Sequence, residues 1–311
     1  MRLRWANAGR LAVTCLWLIG SSGHASAESS LIEVDMQLVL AVDISFSISL
    51  DEQDIQRRGY IAAFRDPEVI SAITSGYRGR IAVTYLEWAG EDHQSQVVAW
   101  TLITDPVSAA DFAKRLEMAP VTRKGRTSLS QALTKALGLF RQSPFQSNRH
   151  VVDLSSDGFN NSGPRVNRAR DALVYHGVTI NGLPLVQGHD TGPKTGPEAG
   201  PKTGPKTDLR RYFQDCVIGG LGAFVMPAAH WDEFAETLKN KLVSEISGPW
   251  QSPAMARVTH AADKDAAPSG MDCLIGEKED LKEYIRQLEK AVGKGRAPRW
   301  MPREQDWPMP D

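Results

Sequence analysis

The sequence predicts a three-layer α/β domain: a mainly parallel central sheet with one antiparallel edge strand and helices on both faces. Three observations carry this expectation. Met36 to Val42 is a nearly unbroken apolar run, broken only by Gln37, of the kind that parallel sheets bury on both faces. Further along, strand-like runs rich in β-branched residues are interleaved with helix-like stretches, the order of an α/β fold. Two such runs, Arg80 to Gly90 and Ser95 to Ile103, are joined only by the polar turn Glu91 to Gln94. That connection suits a hairpin, so this pair is antiparallel.

Taken in order, the chain opens with a stretch that reads as a signal peptide, residues 1–27. Arg2, Arg4 and Arg10 form a basic start, and Leu11 to Gly20 is an apolar segment too short to span a bilayer. Ala25-Ser26-Ala27 fits cleavage after Ala27, and Cys15 lacks the surroundings of a lipid anchor. No later apolar run is long enough to cross a membrane, so no stable span is expected after cleavage and the mature protein is expected to be periplasmic or secreted. Net charge is −1, which argues against a nucleic-acid partner, for which a basic patch is expected. After cleavage two cysteines remain, Cys216 and Cys273. Export permits a disulfide between them, and two separate thiols fit the sequence equally well. Neither lies in a spacing that binds zinc.

Ser49-Leu50-Asp51-Glu52 is a capping box that opens a helix running to about Arg65. Asp66-Pro67 breaks it, and Glu68 to Ser75 adds a further turn or two. Behind the hairpin, Ser108 opens a helix to about Met118. Ser128 and Gln131 form a second capping box, and Leu129, Ala132, Leu133, Ala136, Leu137 and Phe140 share one face of the helix that follows. Arg149 to Gly158 reads as a strand ending in an acid, with Asp153 structural. A helix over Arg165 to His176 turns Val166, Ala169, Leu173 and Val174 inward, and the strand Val178 to Val186 follows. The Thr-Gly-Pro-Lys repeat within 190–207 reads as a solvated surface insertion, because Pro and Gly at that spacing exclude helix and central strand. Ala223 to Met226 is a last short strand and Trp231 to Ile246 the closing helix, with Phe234, Leu238, Leu242, Val243 and Ile246 facing inward. The domain thus covers 28–249, and residues 250–311 form a Pro- and charge-rich tail, mostly disordered with a short helix near 278–292.

At the end of the first core strand the polarity changes abruptly. Asp43, Ser45 and Ser47 bring a carboxylate and two hydroxyls to alternate positions. Ligands of open α/β sheets bind outside the carboxyl ends of the strands, and hard oxygens there suit a cation of the Mg, Ca or Mn type. The plainer alternative is a strand that ends in a Ser-rich turn.

Asp43-x-Ser45-x-Ser47 resembles the first segment of the metal-ion-dependent adhesion site of von Willebrand factor type A domains. Thr127, just before a helix N-terminus, and Asp157, after a core strand, match the second and third segments in order. GRIAVTYLEWAG, VVAWTLI, TINGLPLV, DCVIGGLGAFV and KLVSEI look most like an uncharacterised family of exported bacterial proteins within that class. The resemblance implies a three-layer, Rossmann-like fold. It also implies a site for Mg²⁺, or Mn²⁺ or Ca²⁺. There Ser45, Ser47 and Thr127 offer hydroxyls, and Asp43 and Asp157 bind directly or through water. It further implies a protein partner presenting Asp or Glu. Members of that family tend to carry Gly between the two serines; Phe46 stands there in this chain.

Enzyme readings fare less well. A haloacid-dehalogenase-like phosphatase needs a second Asp where Ser45 stands, and the Gly-x-Ser-x-Gly elbow and the surroundings of a subtilisin-like triad are absent. The Gly-rich stretch Cys216 to Gly222 lacks the order of a nucleotide-binding loop. The expectation is a binding module and not an enzyme. An unrecognised metal-dependent hydrolase and a structural domain without metal function are the alternatives.

Overall fold

The computed structural model describes residues 31–186, 208–248, 271–278 and 282. The expected signal segment 1–27, the insertion 190–207 and most of the tail, with nearly all of the helix expected near 278–292, lie outside the described residues.

A short strand β1 (Ile32–Glu33) leads into β2 (Met36–Asp43), all of whose residues are buried. Helices α1 (Leu50–Ala63) and α2 (Pro67–Thr74) follow, then β3 (Ile81–Trp88), β4 (Gln94–Ile103) and α3 (Pro106–Met118). Next come α4 (Leu129–Arg141), β5 (Phe145–Gln146), β6 (His150–Ser156), α5 (Val166–Tyr175) and β7 (Val178–Pro184). A short α6 (Leu209–Tyr212) runs into a π-helical turn (Phe213–Val217), and α7 (Phe234–Ser247) closes the domain. The main sheet has five strands in the order β4-β3-β2-β6-β7, parallel except for the β3–β4 hairpin. β1 and β5 pair separately in parallel. This is the three-layer α/β fold, mainly parallel with one antiparallel edge strand, that the sequence predicts.

β2 sits in the centre because its side chains are apolar on both faces. Leu38, Leu40 and Val42 join Tyr60, Phe64, Phe112, Phe234 and Leu238 in the core on the α1, α3 and α7 side. Val39 and Ala41 join Leu129, Leu133, Val152, Leu154 and Phe213 on the other. Strand side chains alternate, so Asp43 continues the second row and points to the side from which α4 starts.

Several boundaries differ from the sequence reading for identifiable reasons. Helix α3 starts at Pro106, not Ser108, because Asp105 is its N-cap: its carboxylate accepts from Ser108 N at 2.8 Å while the Ser108 hydroxyl bonds back to Asp105 N at 3.1 Å. Ser108 is thus the third residue of the helix and closes the capping box. At Ser128 the hydroxyl caps Gln131 N, without the return bond of a capping box. Ala223 to Met226 is not a continuous strand. The segment after the π-helical turn pairs with β7 and the residue just past it through isolated bridges rather than a ladder, Ile180–Gly219, Gly182–Val225 and Leu185–Ala228. Gly220 and Gly222 take positive φ, and Pro227 has no N–H for a ladder. Helix α7 begins at Phe234, and Trp231 instead donates its indole N–H to Glu52 Oε1 at 3.0 Å.

The inner face of α7 holds more than the expected apolar residues. Lys241 and Glu245 are fully buried there. Lys241 Nζ lies 2.6 Å from Asp153 Oδ1 on β6 and pairs with Glu245 one turn on, and Asn181 Nδ2 donates to Glu245 at 2.9 Å. Asp153 is structural, as its mid-strand position predicts.

In the tail, residues 271–278 pack against the core on the α4 and α5 side. Met271 and Ile275 are buried, and a disulfide joins Cys273 to Cys216 in the π-helical turn, settling the question that spacing left open.

Candidate metal centre

Strand β2 delivers Asp43 to the carboxyl end of the sheet between its two parallel neighbours. Asp43 is paired in register with Trp88 of β3, and on the β6 side Val42 is paired with Ser155. That register sets Ser156 beside Asp43. The Asp43 carboxylate is fully buried and held by neutral donors: Ser45 N at 2.7 Å on Oδ1 and the Ser156 hydroxyl at 2.6 Å on Oδ2. Burial pushes its pKa up to about 7, and the neighbouring Asp157 charge pushes in the same direction, against the pull of those hydrogen bonds.

The chain leaves β2 through a tight turn. Ser45 Oγ lies 2.9 Å from Ser47 Oγ, and the Ser47 hydroxyl donates to Asp157 Oδ1 at 2.7 Å. Ser45 is buried and Ser47 is exposed, so the line of oxygens runs from the core to solvent. The loop before α4 is stitched to this turn by backbone bonds, Lys124 N to Ile44 O at 2.9 Å and Phe46 N to Gly125 O at 3.1 Å. It brings Thr127, also buried, beside the Asp157 loop: a side chain at Gly158 would start 3.6 Å from Thr127 Oγ1. Thr127 is set by Asn161, which accepts from Thr127 N at 2.9 Å and donates its own N–H to Thr127 O at 2.9 Å.

The structure therefore gathers Asp43, Ser45, Ser47, Thr127 and Asp157 at one end of the sheet. It adds three residues that the sequence reading passed over. Ser156 orients Asp43, Asn161 orients Thr127, and Asn160 anchors the loop between them by accepting from Ser130 N at 3.1 Å. The signal for Ser156 was its place next to Asp157. The Asn160-Asn161 pair carried only a turn signal.

Among the described residues no three His, Cys, Asp or Glu side chains group as a metal site would. The donor set here is of another kind, two carboxylates and three hydroxyls. Two acids close enough for one to raise the other's pKa fit a divalent cation, which would relieve the repulsion between them. All five donors are hard oxygens, the choice of Mg²⁺, Mn²⁺ or Ca²⁺ over softer metals.

Phe46 stands over the rim. It is 62% exposed, with the Arg123 guanidinium 5.6 Å from its ring centre and hydrogen-bonded to its carbonyl.

The model of a family described as "Protein of unknown function (DUF1194)" matches residues 33–250. No curated protein matches. Among solved structures, proximal thread matrix protein 1 of the mussel byssus is similar at 15% identity and a TM-score of 0.46, over 69% of this chain and 46% of that one. A von Willebrand factor type A protein from Catenulispora acidiphila is similar at 15% identity and a TM-score of 0.47, over 69% and 43%. BatB from Bacteroides thetaiotaomicron is similar at 15% identity and a TM-score of 0.42, over 69% of this chain and all of that one. The chain spans less than half the length of the first two.

Proposed function

The chain belongs to the DUF1194 family of proteins of unknown function, and on that footing we propose that it is a divalent-cation-dependent protein-binding module of the bacterial envelope, not an enzyme. The observation that carries this reading is the convergence of Asp43 and Asp157 with three hydroxyls at the carboxyl end of the sheet.

Ser45, Ser47 and Thr127 would hold the cation through hydroxyl oxygens, with Asp43 and Asp157 alongside. Bound there, the ion would supply a positive centre able to accept a carboxylate oxygen from an Asp or Glu of a partner. The chain's own residues set that property. Hydroxyls are neutral donors, so they position an ion without cancelling its charge. Ser156 and Ser45 N hold Asp43 in place, and Asn161 does the same for Thr127, which limits the rearrangement that loading would require. Ser47 and the Asp157 loop lie toward solvent, where a partner can approach. Among the described residues no helix is long and apolar enough to cross a membrane.

Titration of the mature protein with Mg²⁺ and Mn²⁺ by calorimetry tests the site. Saturable binding that disappears in Asp43→Ala/Asp157→Ala is the expected result. Pull-down from envelope extract with and without EDTA tests the use made of it. A partner retained in EDTA would favour the structural alternative, a domain that binds without metal.

A further inference from the structure

The segment 271–278 lies beyond the residues matched by the family model, 33–250, yet it packs against the loop that carries part of the candidate centre. Glu277 Oε1 accepts from Asn160 Nδ2 at 2.8 Å. Gly276 sits so close to the Asn160 carbonyl that a Cβ there would lie 2.1 Å from its oxygen. From the other side, the Tyr212 hydroxyl accepts from Asn160 N at 3.3 Å, and Phe159 packs edge-on against the Tyr212 ring at 4.9 Å. The loop is thus clasped between the segment and the end of α6. The disulfide Cys216–Cys273 closes the clasp, since Cys216 lies in the turn that continues α6.

The clasped residues are neighbours in sequence of those that build the site. Asp157 lies three positions before Asn160. Asn161, next to it, makes both backbone bonds that set Thr127. Asn160 also joins the loop to α4 through Ser130 N. Met271 and Ile275 are buried, and the disulfide and the Glu277 contact tie the segment to the rest of the domain.

We propose that residues 271–278 are a redox-sensitive latch on the candidate metal centre, with Asn160 and Glu277 as positioning residues and the Cys216–Cys273 disulfide as the fastening. This rests on the reading of the centre given above. With the disulfide closed, the loop 157–161 is held in the arrangement that aligns Asp157 and Thr127. Opening requires a dithiol of the kind that carries out thiol–disulfide exchange. Its thiolate attacks the Sγ of Cys273, the less buried of the two residues, and expels the Cys216 thiolate, which takes up a proton. The second thiol of the reductant then closes its own disulfide and releases Cys273. Two electrons and two protons pass to the protein. The segment loses its covalent tie, the Glu277 contact is weakened, and the loop relaxes.

The test uses the full mature chain. Mn²⁺ affinity is measured by calorimetry for the oxidised protein, for protein reduced with a dithiol and freed of reductant under anaerobic conditions, and for Glu277→Ala and Glu277→Gln. The latch predicts a loss of about tenfold in affinity on reduction and in Glu277→Ala, the low end of the cost of removing an outer partner of a metal ligand, because both act on Asp157 and Thr127 only through the loop. It predicts near-complete retention in Glu277→Gln, whose amide oxygen still accepts from Asn160. Amide hydrogen exchange of 157–163 in the oxidised and reduced proteins reads the loop directly, without metal, and exchange is expected to quicken on reduction. Equal Mn²⁺ affinity in all four samples, with Asp157→Ala still abolishing binding, would overturn the latch and leave the metal centre standing. Absence of binding even in the oxidised wild type would remove the centre itself and the latch's control of it. Unchanged exchange on reduction would overturn the mechanical coupling in either case.

Discussion

Two pairs of acids, one in the interior and one at the carboxyl end of the sheet, are treated differently. In the interior, Asp153 and Glu245 face each other across the ammonium of Lys241, supplied by α7. At the carboxyl end of the sheet, Asp43 faces Asp157 and is held by a backbone N–H and a hydroxyl. The interior cluster carries its own cation because no ion from solution can reach it. The upper pair lies beside an exposed serine, where an ion from solution can enter. Buried carboxylates in one domain thus act as a fastening where the cation is part of the chain, and as a candidate receptor where it is not.

Removing the built-in cation should have the largest effect. Lys241→Met leaves two buried carboxylates facing each other, and urea unfolding is expected to show a loss of about 3–5 kcal/mol. Adding Asp153→Leu and Glu245→Leu should recover much of that, because an apolar core carries no desolvation penalty. At the upper pair the outcome should be reversed. Asp43→Asn is expected to abolish Mg²⁺ binding in calorimetry while unfolding in EDTA stays within about 1 kcal/mol of wild type. A loss as large as that of Lys241→Met would erase the contrast.

pH should separate the two places more finely. Burial raises both Asp43 and Glu245 to about 7, well above their ordinary range. The folded protein then binds more protons than the unfolded chain between about pH 4 and 7, so stability in EDTA falls as pH rises through that window. Saturating Mg²⁺ keeps Asp43 ionised and removes its share, while Glu245 keeps its own. Thermal melts from pH 5 to 7 should therefore show a shallower decline with Mg²⁺, by about half. An identical slope with and without the ion would place the whole effect in the interior cluster. The smallest change is expected for Phe46→Gly: stability within about 0.5 kcal/mol, as for an exposed side chain, unaltered Mg²⁺ affinity, and an altered yield of captured partner in the pull-down.

Much of this was legible in the sequence. The run from Met36 to Val42 announced a central strand, and the alternate spacing of Asp43, Ser45 and Ser47 marked its end. Thr127 was readable because a capped, strongly periodic helix begins just after it. Ser156 was not, because its importance arises from β6 lying beside β2 in one particular register. Lys241 and Glu245 stand one helical turn apart, a spacing that does not distinguish a solvated pair from a buried one, and nothing in α7 reveals that Asp153 lies across the interface. Arg57 and Glu87, a buried pair joining α1 to β3, were hidden for the same reason. The strand expected at Ala223 to Met226 failed because the run is apolar enough to lie on the sheet but is flanked by Gly220 and Gly222 at positive φ and by Pro227.

That irregular segment bears on how open the margins of the sheet are to another strand. An open parallel sheet exposes a row of unpaired amides and carbonyls along its outer strand, a template on which another chain can grow. Here the outer side of β7 is occupied at Ile180, Gly182 and Leu185 by a stretch that bonds intermittently and cannot present a straight edge of its own. At the opposite margin, β4 pairs with β3 through register shifts around Tyr85, which twist that border away from a flat ladder. Both flanks are thereby blunted against strand addition. For a molecule proposed to bind a partner at one end, such sides would keep contacts to that end.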